Sequence, residues 1–321
     1  MKYKNILVTG AMGFIGFNAV RRWKKQYPEC NFFGTHANTY ADKFMHEDKD
    51  EWIHANKFSN IIIDLGDQIE CFVLSEWVKK NEIDAIVHFG AESHVDNAIK
   101  TPRKFFRSNV LGTANILDIA RDNDIRIHIV STDEVYGETF PNSGVFTTPE
   151  QMLLKPSSPY SSSKASADLI ALSYFHTYGT KVTISRCTNN AGEYQHFEKL
   201  IGTTISRALK NEKIPVYGEG LQRRHWIHVD DHNEAVIDIL ENKEIGKIYN
   251  IAPPRENWIA NIDLIKMILS CMNKPTSLIE HVSDRLGHDT SYFLNPSVDI
   301  KAKTIDEFIP SIVEWYARKL K

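Results

Sequence analysis

The chain has no apolar run long enough to cross a bilayer, no concentration of basic residues and no closely paired cysteines, and each absence removes a class of function. A spanning helix needs about 20 consecutive apolar residues. The amino end carries Lys2 and Lys4 with no apolar run behind them, so neither membrane insertion nor secretion is expected. The 38 Lys and Arg are dispersed and outnumbered by 41 Asp and Glu, which leaves no electrostatic footprint for nucleic acid. The four cysteines, Cys30, Cys71, Cys187 and Cys271, show no C-x-x-C spacing, which favours reduced, buried thiols in the cytoplasm over disulfides or zinc. Internal repeats, low-complexity tracts and flexible linkers are missing too. What remains is 321 residues, 42% of them hydrophobic, enough for the cores of one large or two modest domains of an enzyme.

The most informative segment is Ser131-Thr132-Asp133-Glu134-Val135-Tyr136-Gly137, which follows the β-branched run Ile125–Val130. In open α/β sheets ligands sit beyond the carboxyl ends of strands, so Thr132, Asp133 and Glu134 are placed to face a cleft. Near the amino end, Asn5–Thr9 reads as a short strand running into Gly10, Gly13 and Gly16 and then an amphipathic segment. Such glycines allow a tight turn and bring backbone N–H groups and a helix N-terminus close to a pyrophosphate, as in a dinucleotide fingerprint.

Strand and helix signals alternate through the first 190 residues, with strands expected at 5–9, 31–35, 60–64, 84–88, 126–131 and 181–186 and helices beginning near 14, 68, 101 and 160. This alternation predicts an α/β, Rossmann-type doubly wound parallel sheet over 1–190, completed by parts of 225–252. Turn signals at 217–220 and 252–254 break the pattern, so 191–321 is expected to form a smaller substrate lobe, with the ligand between the two.

Tyr160 and Lys164 are four residues apart, on one helical face. A lone Tyr-x-x-x-Lys carries little weight, but here it follows a strand ending in Ser131-Thr132. The Lys charge is expected to lower the Tyr pKa from its ordinary value of about 10. His225, His228 and His232, beside Asp230 and Asp231, match no zinc spacing, and no metal is expected; His88 reads as a satisfied core residue.

Together these motifs make the chain resemble the extended short-chain dehydrogenase/reductases and, within them, the nucleotide-sugar 4,6-dehydratases. The likeness runs through residues 9–16, Ala-Glu-Ser-His-Val-Asp at 91–96, 131–137, 157–164, Asn189-Asn190, Glu-Lys-Leu-Ile at 198–201, Pro-Val-Tyr-Gly at 215–218 and Asp-Arg-x-Gly-His-Asp at 284–289. It implies an NAD(P) cofactor, tightly bound and recycled, held by Gly10, Gly13, Phe14, Ile15, Gly16, His36, Asp64, Leu65, Tyr160 and Lys164. A nucleoside-diphosphate sugar would be held by Ser93, Asn190, Lys199, Leu200, Tyr217, Arg224, Asn261, Arg285 and His288. The implied chemistry has Tyr160, with Thr132 and Lys164, taking the 4-hydroxyl proton as C4 gives hydride to nicotinamide. Glu134 then removes the C5 proton, Asp133 protonates the departing C6 hydroxyl, and hydride returns to C6. The resemblance also implies a homodimer through helices near 101–122 and 160–178, which carry Phe105, Phe106, Leu117, Leu169, Leu172 and Phe175.

Departures from the family pattern set the finer expectations. Thr35-His36 stands where NAD-using relatives carry a ribose-binding Asp, which favours NADP, with His36 or Lys43 as donor to a 2′-phosphate. Gly90 and Ala191 replace larger residues and are expected to leave room for a C2 acetamido group. With the departures at Glu193, His196 and Phe197, the chain looks like the UDP-N-acetylglucosamine 4,6-dehydratases of giant DNA viruses. A UDP-sugar such as UDP-N-acetylglucosamine is therefore the leading substrate expectation. The alternatives are a dTDP-glucose 4,6-dehydratase, an enzyme that also inverts C5, and a catalytically idle cofactor-binding regulator.

Overall fold

The structure, a computed structural model, describes residues 1–141, 149, 152–284 and 287–320. Strands β1 (Asn5–Thr9), β2 (Asn31–His36), β3 (Ser59–Ile62), β4 (Ala85–His88), β5 (Arg126–Thr132), β6 (Val182–Cys187) and β10 (Ile248–Ile251) form one seven-stranded sheet, ordered β10-β6-β5-β4-β1-β2-β3. Every pairing in it is parallel. β4, β5 and β6 are buried along their whole length, the condition in which β-branched runs outcompete amphipathic alternation. The strand predictions at 5–9, 31–35, 60–64, 84–88, 126–131 and 181–186 each land on an observed strand, shifted by at most two residues at an end.

Helices cover both faces. One core joins the sheet to α1 (Phe14–Gln26), α9 (Val229–Asn242) and α11 (Ile305–Lys319), the last through Phe308, Ile312 and Tyr316. The other packs α3 (Gln68–Lys80), α6 (Gly112–Asp122) and α7 (Pro159–Tyr178) against Leu7, Ile86, Ile127 and Ile184. β1 pairs with β2 on one side and β4 on the other, so the chain winds outward in both directions from β1 and opens a crevice at its carboxyl end.

α2 (His46–Asn56) was not foreseen, because His-Glu-Asp-Lys-Asp-Glu carries no apolar stripe to reveal a helix. Short helices α4 (Val95–Lys100) and α5 (Pro102–Phe105) lead through a π-helical turn at Phe106–Leu111 into α6. After residue 188 come β7 (Asn189–Ala191), α8 (Leu200–Leu209), β8 (Ile214–Tyr217), β9 (Arg223–His228), β11 (Trp258–Ala260), α10 (Asn261–Cys271) and β12 (Ile279–Val282). They make a three-stranded sheet, β11-β9-β7, and a two-stranded one, β12-β8. α8 and α10 bury Ile205, Ala208, Ile265 and Leu269 against β8 and its surroundings.

No described helix is long and apolar enough to cross a membrane. Cys30, Cys71 and Cys187 are buried free thiols as expected, but Cys271 is exposed at the end of α10.

Candidate active site

The dinucleotide half is built from backbone. Gly10 adopts φ +66°, and a Cβ there would lie 2.9 Å from the Gly90 amide nitrogen; a Cβ on Gly16 would lie 2.3 Å from the Gly10 carbonyl oxygen. Only glycine permits these approaches. Gly13 caps α1 without a side-chain hydrogen bond, and the first turn holds no acidic residue, so the positive end of the helix is left for an anion. Thr9 Oγ1 ties the next loop down by accepting from the Gly90 N–H at 3.1 Å, while His88 lies between Thr9 and Thr113 hydroxyls and burial pushes its pKa down to about 3. His88 is thus the satisfied core residue expected.

All ten expected cofactor residues line one cleft of about 490 Å³, and Thr132, Asp133 and Glu134 line it as well. Buried Ser131 Oγ and Asp133 Oδ2 have no hydrogen-bond partner among the described residues. The glycine cradle, the uncapped helix and these orphaned acceptors fit a nicotinamide dinucleotide, with Gly10–Gly16 toward its diphosphate and Tyr160 and Lys164 toward its reactive end.

The reacting side chains are held by local motifs. Ser158 caps α7 in a capping box with Ser161, Pro159 occupies the first turn and Gly179 ends the helix at φ +70°, which fixes Tyr160 and Lys164 on the inward face. Removing such a cap costs ~1 kcal/mol. Asn109, on the π-helical turn, accepts from the Glu92 N–H at 2.8 Å and donates to Ser163 Oγ at 2.9 Å, while Ser163 donates to the Tyr160 carbonyl at 2.7 Å. It joins the loop after β4 to the Tyr160 turn, and no periodicity or spacing in the sequence marked it. Thr132 Oγ1 donates to Asp133 Oδ1 at 3.2 Å and accepts from the Glu134 N–H at 3.3 Å, so the hydroxyl sets the shape of the Asp133–Tyr136 turn.

Electrostatics bears strongly on Asp133. Burial, then the neighbouring Glu134 charge, pushes Asp133 up to about 8. Tyr160 differs from expectation: burial, with Glu134 next in weight, holds its phenol well above the ordinary value, only partly offset by the Thr132 hydroxyl. The Lys164 ammonium does not reverse this. Its Nζ is buried, its pKa is lowered by burial, and it donates to the Val130 carbonyl at 2.9 Å. Cys187, paired in register with Thr132, adds an unforeseen thiol to the cleft, inert because burial raises it to about 12.

On the substrate side, Ser93, Asn190, Lys199, Leu200, Tyr217, Asn261 and His288 line the same cleft. Lys199 Nζ donates to the Ser93 carbonyl at 2.9 Å, and Tyr217 Oη lies 3.3 Å from Asp96, so the far side of the cleft is stitched to the loop after β4. Asn190 Oδ1 and Asn261 Oδ1 are buried without partners among the described residues. Arg224 lies close enough to the cleft for its charge to act on Asp133. It is not among the cleft-lining residues; its guanidinium donates to the Arg223 and Asp289 carbonyls at 2.9 Å each and stacks 4.3 Å above the Tyr292 ring. Arg285 lies outside the described residues. Tyr40, His94, His196 and Glu198 also face the cleft, with Tyr40 Oη donating to Glu198 at 3.0 Å across two loops that carry no periodic signal.

The two positions expected to enlarge the sugar site differ in setting. Ala191 is fully buried in the core that holds Phe17, Tyr194 and Ile201 and is not among the cleft-lining residues. Gly90 lines the cleft, and a Cβ there would meet Thr9 Oγ1 at 3.1 Å and the His88 ring and Leu65 at 3.5 Å. His36 lines the cleft at the end of β2, with Nδ1 2.9 Å from the Asn60 amide nitrogen. The three histidines read as non-metal occupy separate settings: His225 stacks on Phe293 at 5.0 Å, His228 caps α9, and His232 is buried near Phe89. Among the described residues no group of three or more His, Cys, Asp or Glu is arranged to hold a metal.

A glycine-cradled parallel sheet with Tyr and Lys one helical turn apart beside the crevice defines a dinucleotide-dependent oxidoreductase centre, and the adjacent Asp and Glu extend it toward elimination. Residues 7–294 match the GDP-mannose 4,6 dehydratase family. The chain is 38% identical over 319 residues to the dTDP-glucose 4,6-dehydratase of Mycobacterium tuberculosis, covering 97% of this chain and 92% of the relative, and 41% identical over 295 residues to that of Mycolicibacterium smegmatis, covering 91% and 85%. Among solved structures it is similar to the dTDP-glucose 4,6-dehydratase of Streptomyces venezuelae with NAD bound, at TM-score 0.89 and 35% identity, covering 98% of this chain and 97% of the other. The chain belongs to the nucleotide-sugar 4,6-dehydratases of the extended short-chain dehydrogenase/reductases.

Proposed function

We propose that the protein is a dTDP-glucose 4,6-dehydratase that keeps NAD in its cleft. The observation that carries the reading is the pair of adjacent carboxyls, Asp133 and Glu134, in the same cleft as Tyr160 and Lys164, with burial raising Asp133 toward its protonated form. When bound, the oxidised nicotinamide supplies a hydride acceptor, and later donor, together with a positive charge that favours the Tyr160 phenolate. Tyr160, with Thr132 beside it, takes the proton of the sugar 4-hydroxyl. The ketone left at C4 acidifies C5–H, and Glu134 removes that proton. Asp133 protonates the C6 hydroxyl so that it leaves as water, and the resulting 5,6-alkene takes back the hydride at C6 and a proton at C5, so atoms and electrons balance over the cycle.

The UDP-N-acetylglucosamine expectation loses ground because Ala191, one of its two supporting positions, is buried in the core away from the cleft lining, while the relatives reported above are dTDP-glucose 4,6-dehydratases. The preference for NADP loses support in the same way, since the related structures hold NAD. The experiment compares kcat/KM for dTDP-glucose, UDP-glucose and UDP-N-acetylglucosamine. A thymine methyl in an apolar pocket is worth about 1–3 kcal/mol, so dTDP-glucose should lead UDP-glucose by about tenfold or more. A lead for UDP-N-acetylglucosamine would overturn the assignment.

We also propose a homodimer through the π-helical turn, α6 and α7. Phe105 and Leu117 turn out to be core and Leu172 and Phe175 pack against it, but Phe106, Leu111 and Leu169 are 42%, 55% and 58% exposed. Three large apolar side chains on adjoining segments support a covering partner. Light scattering should give twice the chain mass at micromolar concentration; a monomer mass would sink the claim.

A further inference from the structure

The glycine turn after β1 and the loop after β2 reach the same cleft, and one side chain joins them from behind. Lys49 on α2 is fully buried, and its Nζ donates to the carbonyl oxygens of Met12 at 2.6 Å, Asp42 at 3.2 Å and Ala41 at 3.4 Å, with the Phe17 ring centroid 5.6 Å away. Met12 lies between Gly10 and Gly13, and Gly10, Gly13, Ala41 and Asp42 line the cleft, whereas Lys49 does not. Among the described residues Lys49 forms no ion pair.

A buried charge without a counter-ion is costly, and a Met or Leu would fill the same volume without that cost. Two consequences follow from keeping an ammonium here. Its three bonds hold the glycine turn and the following loop at one spacing. Its charge lies behind the turn whose glycines and helix N-terminus form the diphosphate cradle, at the end of the cleft where His36 leaves the sheet without a carboxylate.

We propose that Lys49 is a positioning residue for the dinucleotide, bracing the two loops of its cradle and supplying a buried positive charge behind the diphosphate. The inference rests on the reading of this cleft as the NAD site. Burial lowers Lys49 to about 8, against the raising influence of Asp42 in the loop and Asp50 on α2; His196, ahead of α8, is the further titratable group that feels its charge. Lys49 is therefore charged below about pH 8 and neutral above it. A bound diphosphate favours the charged form, so NAD affinity is present at neutral pH and declines as pH rises through that value.

The test is calorimetric titration of the full-length apo-protein with NAD between about pH 7 and about pH 9.5. For the unaltered protein the Kd should weaken about tenfold over that range. Lys49→Met should bind about tenfold more weakly at neutral pH and show little further change as pH rises. Asp133 titrates over the same interval but is present in both proteins, so the difference between the two profiles belongs to Lys49. A purely structural role would lower the melting temperature of the apo-protein and leave the slope of the pH profile in place, which would overturn the proposal, as would identical affinities in the two proteins. Should Lys49→Met not fold, the same titration on Asp133→Asn decides, since Lys49 then remains to titrate near 8: a flat profile overturns the inference. If the unaltered protein fails to bind NAD at any pH, it is the cofactor reading that falls.

Discussion

Replacing Glu134 by Gln should let the sugar be oxidised at C4 and stop it there, lowering dehydration about 10²–10⁴-fold. The amide keeps the size and shape of the side chain, and the Glu134 N–H that bonds Thr132 Oγ1 is untouched, so the turn at Asp133–Tyr136 should persist. What is lost is the only function the proposal gives Glu134, acceptance of the C5 proton. In deuterated buffer the unaltered enzyme should incorporate deuterium at C5, and the Glu134→Gln protein should yield a trapped 4-keto hexose with its C6 hydroxyl intact and no deuterium at C5. Near-normal formation of the 4-keto-6-deoxy product by this variant would show that another group is the base.

Asp133→Asn should be similarly damaging, by about 10²–10⁴-fold, and should change the pH profile in a way that identifies the acid. With its carboxyl pushed up to about 8, Asp133 is protonated at neutral pH and able to donate. The rate of elimination should therefore fall as pH rises through about 8, and the alkaline limb should vanish in the Asn protein. Stability follows the same proton with its own sign. The folded state binds the proton more tightly than the unfolded one, whose Asp titrates near 4, so the contribution is complete below about 4 and is lost as pH rises to about 8. Asn carries no such loss, and the Asp133→Asn protein should melt several degrees higher than the unaltered protein at alkaline pH while being far less active. An alkaline limb that survives in Asp133→Asn would assign the acid elsewhere. Losing activity while gaining stability is the behaviour expected of a group whose burial serves catalysis at the expense of the fold.

The sequence by itself determined what depends on neighbours along the chain. Strand period, glycine spacing and the four-residue step from Tyr160 to Lys164 are local, and so β1, β5, the glycine turn and the catalytic helix stand where they were expected. That Thr132, Asp133 and Glu134 share a cleft with Gly10–Gly16 followed from the same source, because carboxyl ends of parallel strands meet at one edge of a sheet. Only the tertiary structure decided what surrounds each group. Arg224 is held by two backbone carbonyls and the Tyr292 ring, Ala191 is taken into the core beside Tyr194, and Gly90 is tied to Thr9. Tyr160 is raised rather than lowered because desolvation and carboxylates from β5's end outweigh a lysine whose bond goes to Val130. Lys49 stands on a helix without an apolar stripe, and Asn109 on a π-helical turn; neither leaves a periodic mark, since each is defined by carbonyls and amides that only folding brings within reach. Spacing along the chain specifies which groups can share an element, whereas protonation state and hydrogen-bond partner are set by solvent exclusion and by charges distant in sequence.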